Sequence, residues 1–169
     1  FIAQGGTPPK GVLLYGEPGT GKTMLARALA GESDVSFFTA AASSFVNTYT
    51  GSGPKAVREL FERARRYAPS IVFIDEIDTI ASQRGGGEGG KAEKDTLNQL
   101  LTEMGGFSDN SKRPVFVLAA TNFGINPGEG IGLLDGAFVR RFDDAVKIEL
   151  PNKKERRQLL ALLVSKVKN

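Results

Sequence analysis

Gly16-Glu17-Pro18-Gly19-Thr20-Gly21-Lys22-Thr23 satisfies the spacing G-x-x-x-x-G-K-[ST] without a mismatch, between an apolar run, Val12 to Tyr15, and a helical stretch starting near Met24. A strand that feeds such a loop and a helix that leaves it aim successive backbone N–H groups and the positive end of the helix dipole at one anion. Polyphosphate fits. Gly16, Gly19 and Gly21 permit close backbone approach, Lys22 brings a point charge to β- and γ-phosphates, and the Thr23 hydroxyl is suited to ligate Mg²⁺. Pro18, Thr20 and Met24 complete the set expected against the ligand. The plainer alternative, a glycine-rich turn with no ligand, leaves the Lys-Thr pair and its strand and helix context unexplained.

A second group of polar residues closes a second apolar run. Ile71-Val72-Phe73-Ile74 is followed by the adjacent carboxylates Asp75 and Glu76. In open α/β sheets ligands lie beyond the carboxyl ends of the strands, so these acids are expected beside the phosphate loop. Asp75 is suited to hold Mg²⁺, and Glu76 to orient or deprotonate an attacking water. Asp78 reads instead as a helix N-cap for Thr79 onward. A third run, Val117 to Ala120, ends in Thr121-Asn122. Asn122 has the chemistry to hydrogen-bond both water and a γ-phosphate, although Thr-Asn at a strand end is also an ordinary turn starter.

Composition narrows the chemistry further. The 169 residues suffice for one domain, and with no Cys and no His both thiolate and imidazole chemistry are excluded. Net charge is only +3, from 22 Lys and Arg against 19 Asp and Glu, which gives no support to nucleic acid as a partner. The densest basic clusters, Arg63 to Arg66 and Lys153 to Arg157, read as solvated helix faces. No apolar run approaches the roughly 20 residues of a membrane span, and no signal peptide opens the chain, so the segment is expected to make no membrane contact.

Short β-rich runs at Val12 to Tyr15, Val35 to Thr39, Ile71 to Asp75, Val115 to Thr121 and Ala145 to Leu150 alternate with helical stretches. That alternation predicts an α/β fold, and the continuously apolar third and fourth runs predict parallel strands covered on both faces. Three helices carry stripes at i, i+3, i+4, i+7 spacing: Val57/Leu60/Phe61/Ala64, Leu97/Leu100/Leu101/Met104 and Leu160/Leu163/Val164/Val167, all read as core. Gln83 to Gly90 has no periodicity and reads as a mobile loop. By analogy with similar phosphate loops the sheet order is 5-1-4-3-2. Arg140 and Arg141 then lie on a flank, too far from the phosphates of their own chain, and their natural target is the nucleotide of a neighbouring subunit. The competing reading pairs them with Asp143 or Asp144 in salt bridges.

GEPGTGKT, FIDEID, AATN and LLDGAFVRRFD follow one another in the motif order of the AAA+ ATPases, which this chain resembles over almost its whole length. TLNQLLTEMGGF, from Thr96 to Phe107, resembles the TLNQLLxEMDGF stretch of FtsH-type ATP-dependent zinc metalloproteases more than its equivalents in katanin or spastin. The resemblance implies a P-loop NTPase with ATP and Mg²⁺ as cofactors. It implies a homo-oligomeric ring, usually a hexamer, that threads unfolded polypeptide and bears no nucleic acid. Tyr49, Thr50 and Gly51 fall on the family's pore loop, with Tyr49 as the aromatic that grips substrate; without the resemblance Tyr49 reads as an ordinary turn aromatic. FtsH-like relatives are anchored by N-terminal spans, so the implied placement is the cytoplasmic domain of a membrane-anchored protein.

Residues 1–169 are thus expected to be the large nucleotide-binding subdomain. An adenine-backing segment is expected upstream, and a helical lid and any HExxH protease downstream. Several features depart from the pattern: Arg140 and Arg141 are adjacent, Asp144 replaces an arginine, and the Gly-rich stretch between Asn122 and Asp135 is longer than the family's and reads as a flexible insertion. The altered arginines keep open a weakly hydrolysing ring subunit, or a remodelling ATPase without a protease. A nucleic-acid loader would want a basic pore loop, and FVNTYTGSG has no cation. A small-molecule kinase would not need Glu76, Asn122 and a flanking arginine pair together.

Overall fold

Five short strands form one all-parallel sheet which, numbered in chain order, has the arrangement 5-1-4-3-2. The computed structural model describes residues 11–46, 52–82, 90–105, 114–126, 128 and 132–167. In chain order the elements are β1 (Gly11–Tyr15), α1 (Lys22–Glu32), β2 (Ser36–Ala41), α2 (Ser43–Val46), α3 (Ser52–Arg66), β3 (Ser70–Asp75), α4 (Asp78–Ala81), α5 (Gly90–Gly105), β4 (Val115–Thr121), α6 (Gly136–Val139), β5 (Asp144–Lys147) and α7 (Lys153–Val167). Tyr49, Thr50 and Gly51, and residues 83–89 of the expected mobile loop, lie outside the described residues.

Side chains alternate across the sheet, and consecutive apolar residues therefore serve opposite faces. Leu13, Val72, Ile74, Val117 and Ala119 join Val57, Phe61, Leu100 and Met104 in one buried cluster, which carries the predicted stripes of α3 and α5. Leu14, Phe73, Leu118 and Ala120 form a second cluster on the other face with Ala26 of α1. The two longest helices beside the sheet are tied by side chains as well as packing. Arg65 of α3 pairs with the buried carboxylate of Glu103 on α5, which also accepts from Gln99 Nε2 at 2.8 Å. Arg63 lies 5.6 Å from the centroid of the Phe38 ring. The cluster Arg63 to Arg66 is thus not simply a solvated face, because the α5 and β2 surfaces beside it supply an anion and an aromatic ring.

Two other expectations are corrected. The stripe on α7 is not core: Leu160, Leu163 and Val164 are 60%, 49% and 55% exposed. The helix leaves the edge strand through Pro151 and starts with a reciprocal cap, in which Asn152 Oδ1 accepts from Lys154 N and Glu155 N while Glu155 Oε2 accepts from Asn152 N. The apolar block Leu159 to Val164 is left without a described element covering it. The last strand also stops at Lys147 rather than Leu150. Its partner β1 ends at Tyr15 because Gly16, at φ 146°, turns the chain away, so beyond the Ile148 N–H to Tyr15 carbonyl bond there is no ladder to join. The ends of the Gly-rich stretch after Asn122 are pinned, with Gly124 N donating to the Gly132 carbonyl and Leu134 bridged to Ser82.

Phe61, wholly buried between α3 and the sheet, offers a direct check of this core. Phe61→Ala is expected to lower unfolding free energy by about 3 to 5 kcal/mol in denaturant titration, and a loss under about 1 kcal/mol would contradict the packing described.

Candidate active site

β1 runs into the loop from Gly16 to Gly21, and the loop runs into α1. Gly16 passes so close to the Ile148 carbonyl that a side chain there would overlap it. Gly21, left-handed at φ 97°, is the N-cap of α1, and no side chain caps that helix and no acid sits in its first turn. The N–H groups at its start are therefore available to an anion. Lys22 is buried, 6% exposed, and its ammonium donates to the carbonyls of Gly16 at 2.9 Å and Glu17 at 2.8 Å and to the Thr20 hydroxyl at 3.4 Å. The Thr20 hydroxyl in turn donates to the Glu17 carbonyl at 3.0 Å. Burial pushes the Lys22 ammonium below its ordinary value, against the opposing pull of the Asp75 and then the Asp78 carboxylates. A bound polyphosphate would replace neutral carbonyls with full anionic charge around this cation, which favours its protonated form. Pro18 and Gly19 at the loop tip and Met24 in the first turn are exposed.

The loop is joined to the second half of the site by one hydrogen bond: Thr23 Oγ1 donates to Asp75 Oδ2 at 2.6 Å. The other carboxylate oxygen, Oδ1, accepts from the Glu76 backbone N–H at 2.9 Å. A hydroxyl and a carboxylate are hard oxygen donors of the kind Mg²⁺ selects, and Mg²⁺ typically takes one or two protein oxygens and completes its shell with phosphate and water. Among the described residues no group of three or more His, Cys, Asp or Glu is arranged to hold a metal, so no closed protein cage competes with that mode.

Glu76 is exposed and sits at φ 53°, the one non-glycine among the described residues with positive φ. A glutamate gains nothing locally from that conformation. The strain turns the chain sharply after β3, leaving the carboxylate outside the core and beside Asp75.

Asn122 follows β4 and is partly buried. Its position is set by a residue read from sequence as a helix cap. Asp78 Oδ1 accepts from Thr121 Oγ1 at 2.7 Å and from Asn122 N at 3.3 Å. α4 begins without a side-chain cap from its N-cap residue, Ile77. The Thr121 oxygen also accepts from Phe123 N at 2.9 Å, so the turn-starting role belongs to Thr121. Sequence reasoning missed Asp78 and Thr121. No local spacing signals the contact, because β3 ends at Asp75 and Glu76 has positive φ before α4 starts at Asp78.

The arginine pair is not at this end of the sheet. Asp135 caps α6, accepting from Ala137 N at 2.7 Å and Phe138 N at 3.2 Å. Phe138 and Phe142 are buried edge to face, with centroids 5.0 Å apart, and Arg140 and Arg141 between them are exposed. Immediately afterwards Asp143 stitches to the start of β1, donating its N–H to the Gly11 carbonyl and accepting from Gly11 N, both at 3.1 Å. Arg140 and Arg141 therefore lie at the amino end of β5, whereas the phosphate loop follows the carboxyl end of the adjacent parallel β1. The offset is a strand length, roughly 16 Å for five residues.

A phosphate loop at the head of an uncapped helix, joined to an acidic strand end across a parallel 5-1-4-3-2 sheet, defines a P-loop nucleotide-hydrolysing domain. The model of the ATPase family associated with various cellular activities (AAA) matches residues 12–150, and the chain belongs to that family as an ATP hydrolase. It is similar to the ATP-dependent zinc metalloprotease FtsH of Akkermansia muciniphila, at 49% identity over 172 residues covering 99% of this chain and 20% of the relative. FtsH 1 of Symbiobacterium thermophilum is 51% identical over 166 residues, covering 96% of this chain and 26% of the relative. The chloroplastic FTSH 5 of Arabidopsis thaliana is 52% identical over 164 residues, covering 95% and 22%. The chain spans 20% to 26% of the length of these relatives. No described helix is long and apolar enough to cross a membrane.

The strained Glu76 gives a stability test. Glu76→Gly relieves roughly 1 to 3 kcal/mol of backbone strain against roughly 0.4 to 1 kcal/mol of added chain entropy. A variant with a raised unfolding midpoint and no ATP turnover is expected; a lowered midpoint would show that φ 53° is no burden.

Proposed function

We propose that this chain is the ATP-driven motor segment of a ring-forming, membrane-anchored protein that unfolds polypeptide for an attached protease. The observation that carries the ring is the offset of Arg140 and Arg141 by a strand length from their own phosphate loop, with both guanidinium groups exposed. An arginine that cannot reach its own nucleotide is suited to a neighbour's.

In this reading Gly16 to Thr23 bind the phosphates of ATP, with Pro18, Gly19, Thr20 and Met24 along them. Thr23 and Asp75 would hold Mg²⁺, which would neutralise negative charge on the nucleotide's phosphates. Glu76 takes the proton of the attacking water, and Asn122 fixes that water and the γ-phosphate. Arg140 or Arg141 of the adjacent subunit stabilises the charge that develops in the transition state. Tyr49, with Thr50 and Gly51 beside it, grips extended polypeptide in the pore by apolar contact that does not read sequence. The FtsH relatives are ATP-dependent zinc metalloproteases, which supports an attached protease in the full-length protein; the hexameric, membrane-anchored, cytoplasm-facing setting is part of the proposal.

Two results are expected of the full-length protein. Glu76→Gln should bind ATP with unchanged affinity and hydrolyse it at least roughly 100-fold more slowly; undiminished hydrolysis would remove Glu76 from the chemistry. Replacing Arg140 and Arg141 together by alanine should cut turnover by roughly 10³-fold or more while calorimetry shows ATP still bound. Turnover within a factor of a few of the parent would rule the pair out.

A further inference from the structure

β3 and β4 are paired from Ser70↔Val115 to Ile74↔Ala119, and there the ladder ends. β4 stays paired to β1 as far as Tyr15↔Thr121, so Asn122 is the first residue past the sheet and no ladder pairing fixes it. Ile77 N donates to the Ala120 carbonyl at 3.0 Å, and the next contacts are both to Asp78 Oδ1: the Thr121 hydroxyl at 2.7 Å and the Asn122 N–H at 3.3 Å. The Thr121 hydroxyl can donate one proton, and it donates to Asp78. Its oxygen accepts from Phe123 N. Thr121 is 1% exposed, so these bonds are shielded from water. On the side away from β1, the turn from Thr121 to Phe123 is tied, directly or through Thr121, to this one carboxylate oxygen. Asp78 is in turn only two residues from Glu76, which couples the water-activating end of β3 to Asn122.

We propose that Asp78 is a positioning residue for ATP hydrolysis, which through Thr121 holds the Asn122 side chain in register with Glu76. The inference rests on the assignment of Asn122 and Glu76 to the reaction. A second influence is open to the same carboxylate, since it lies near the Lys22 ammonium. The two differ in what they change. Loss of positioning slows the chemical step with the phosphate loop intact, whereas loss of charge beside Lys22 alters phosphate affinity.

The test is ATP turnover and ATP binding by the full-length protein carrying Asp78→Ala, Asp78→Asn, Thr121→Val or Asn122→Ala, and the double variant Asp78→Ala/Asn122→Ala. Asp78→Ala should lower kcat by roughly 10- to 100-fold with KM within about twofold of the parent. Thr121→Val cuts the same tether from the other end and should move kcat alone, in the same direction. Asp78→Asn keeps a carbonyl acceptor for the Thr121 hydroxyl and should restore most of kcat. In the double variant Asp78→Ala should add little to the loss from Asn122→Ala, because both act through one side chain. Multiplying losses, a change in KM without one in kcat, or undiminished kcat in both Asp78→Ala and Thr121→Val would overturn the proposal. Undiminished kcat in Asn122→Ala would overturn it by a different route, by removing Asn122 from the reaction while leaving the Glu76 result standing.

Discussion

The Thr23 hydroxyl bond to Asp75 spans a gap that the sheet order creates. β1 and β3 are not neighbours; β4 lies between them. The phosphate loop must therefore arch over the end of β4, and the first turn of α1 reaches an acid two strands away. The contact is possible only because all three strands are parallel and end at the same level, which the registers Tyr15↔Thr121 and Ile74↔Ala119 impose. Those registers follow from burial. A slip by one residue would exchange Leu13 with Leu14 and Val72 with Phe73, sending each side chain to the wrong cluster. The alignment of the reacting groups is thus a consequence of apolar packing some residues below them.

The same parallel geometry separates the two kinds of charge in the molecule. Acids and the phosphate loop gather at the carboxyl ends, and the exposed arginines are held at the amino end of the edge strand by Phe138 and Phe142. A sheet of parallel strands has two distinct ends, so one subunit offers a binding half at one end and a cationic half at the other. Complementary halves on one chain favour head-to-tail association, and a ring follows if the rotation closes. This separation is the geometric basis of the proposed site shared between subunits.

Much of the site was legible because its residues lie at the ends of strongly patterned runs. Val72-Phe73-Ile74 and Val117-Leu118-Ala119 announce buried parallel strands, and the acids and Asn122 follow at once. The phosphate loop is contiguous and needs no tertiary information. What sequence could not reveal depended on partners. The stripe on α7 has core periodicity, but periodicity states that one face is apolar and is silent on what covers it. β2 extends to Ala41 through pairing with Asp75, and Ala40-Ala41 has little strand signal of its own. Asp78 had the residue type and position of a cap, and only the fold brought Thr121 within its reach. Arg65 likewise looked solvent-facing until Glu103 appeared on the neighbouring helix.

The shared site is tested most directly by mixing two inactive forms of the full-length protein, one carrying Glu76→Gln and the other lacking both Arg140 and Arg141. In a mixed ring an interface with Glu76 from one subunit and the arginines from the next is intact, although neither parent protein has one. ATP turnover should reappear on mixing and rise to a maximum near equal proportions. Turnover that stays at the sum of the two parents at every ratio, in rings shown to exchange subunits, would contradict hydrolysis shared between neighbouring chains.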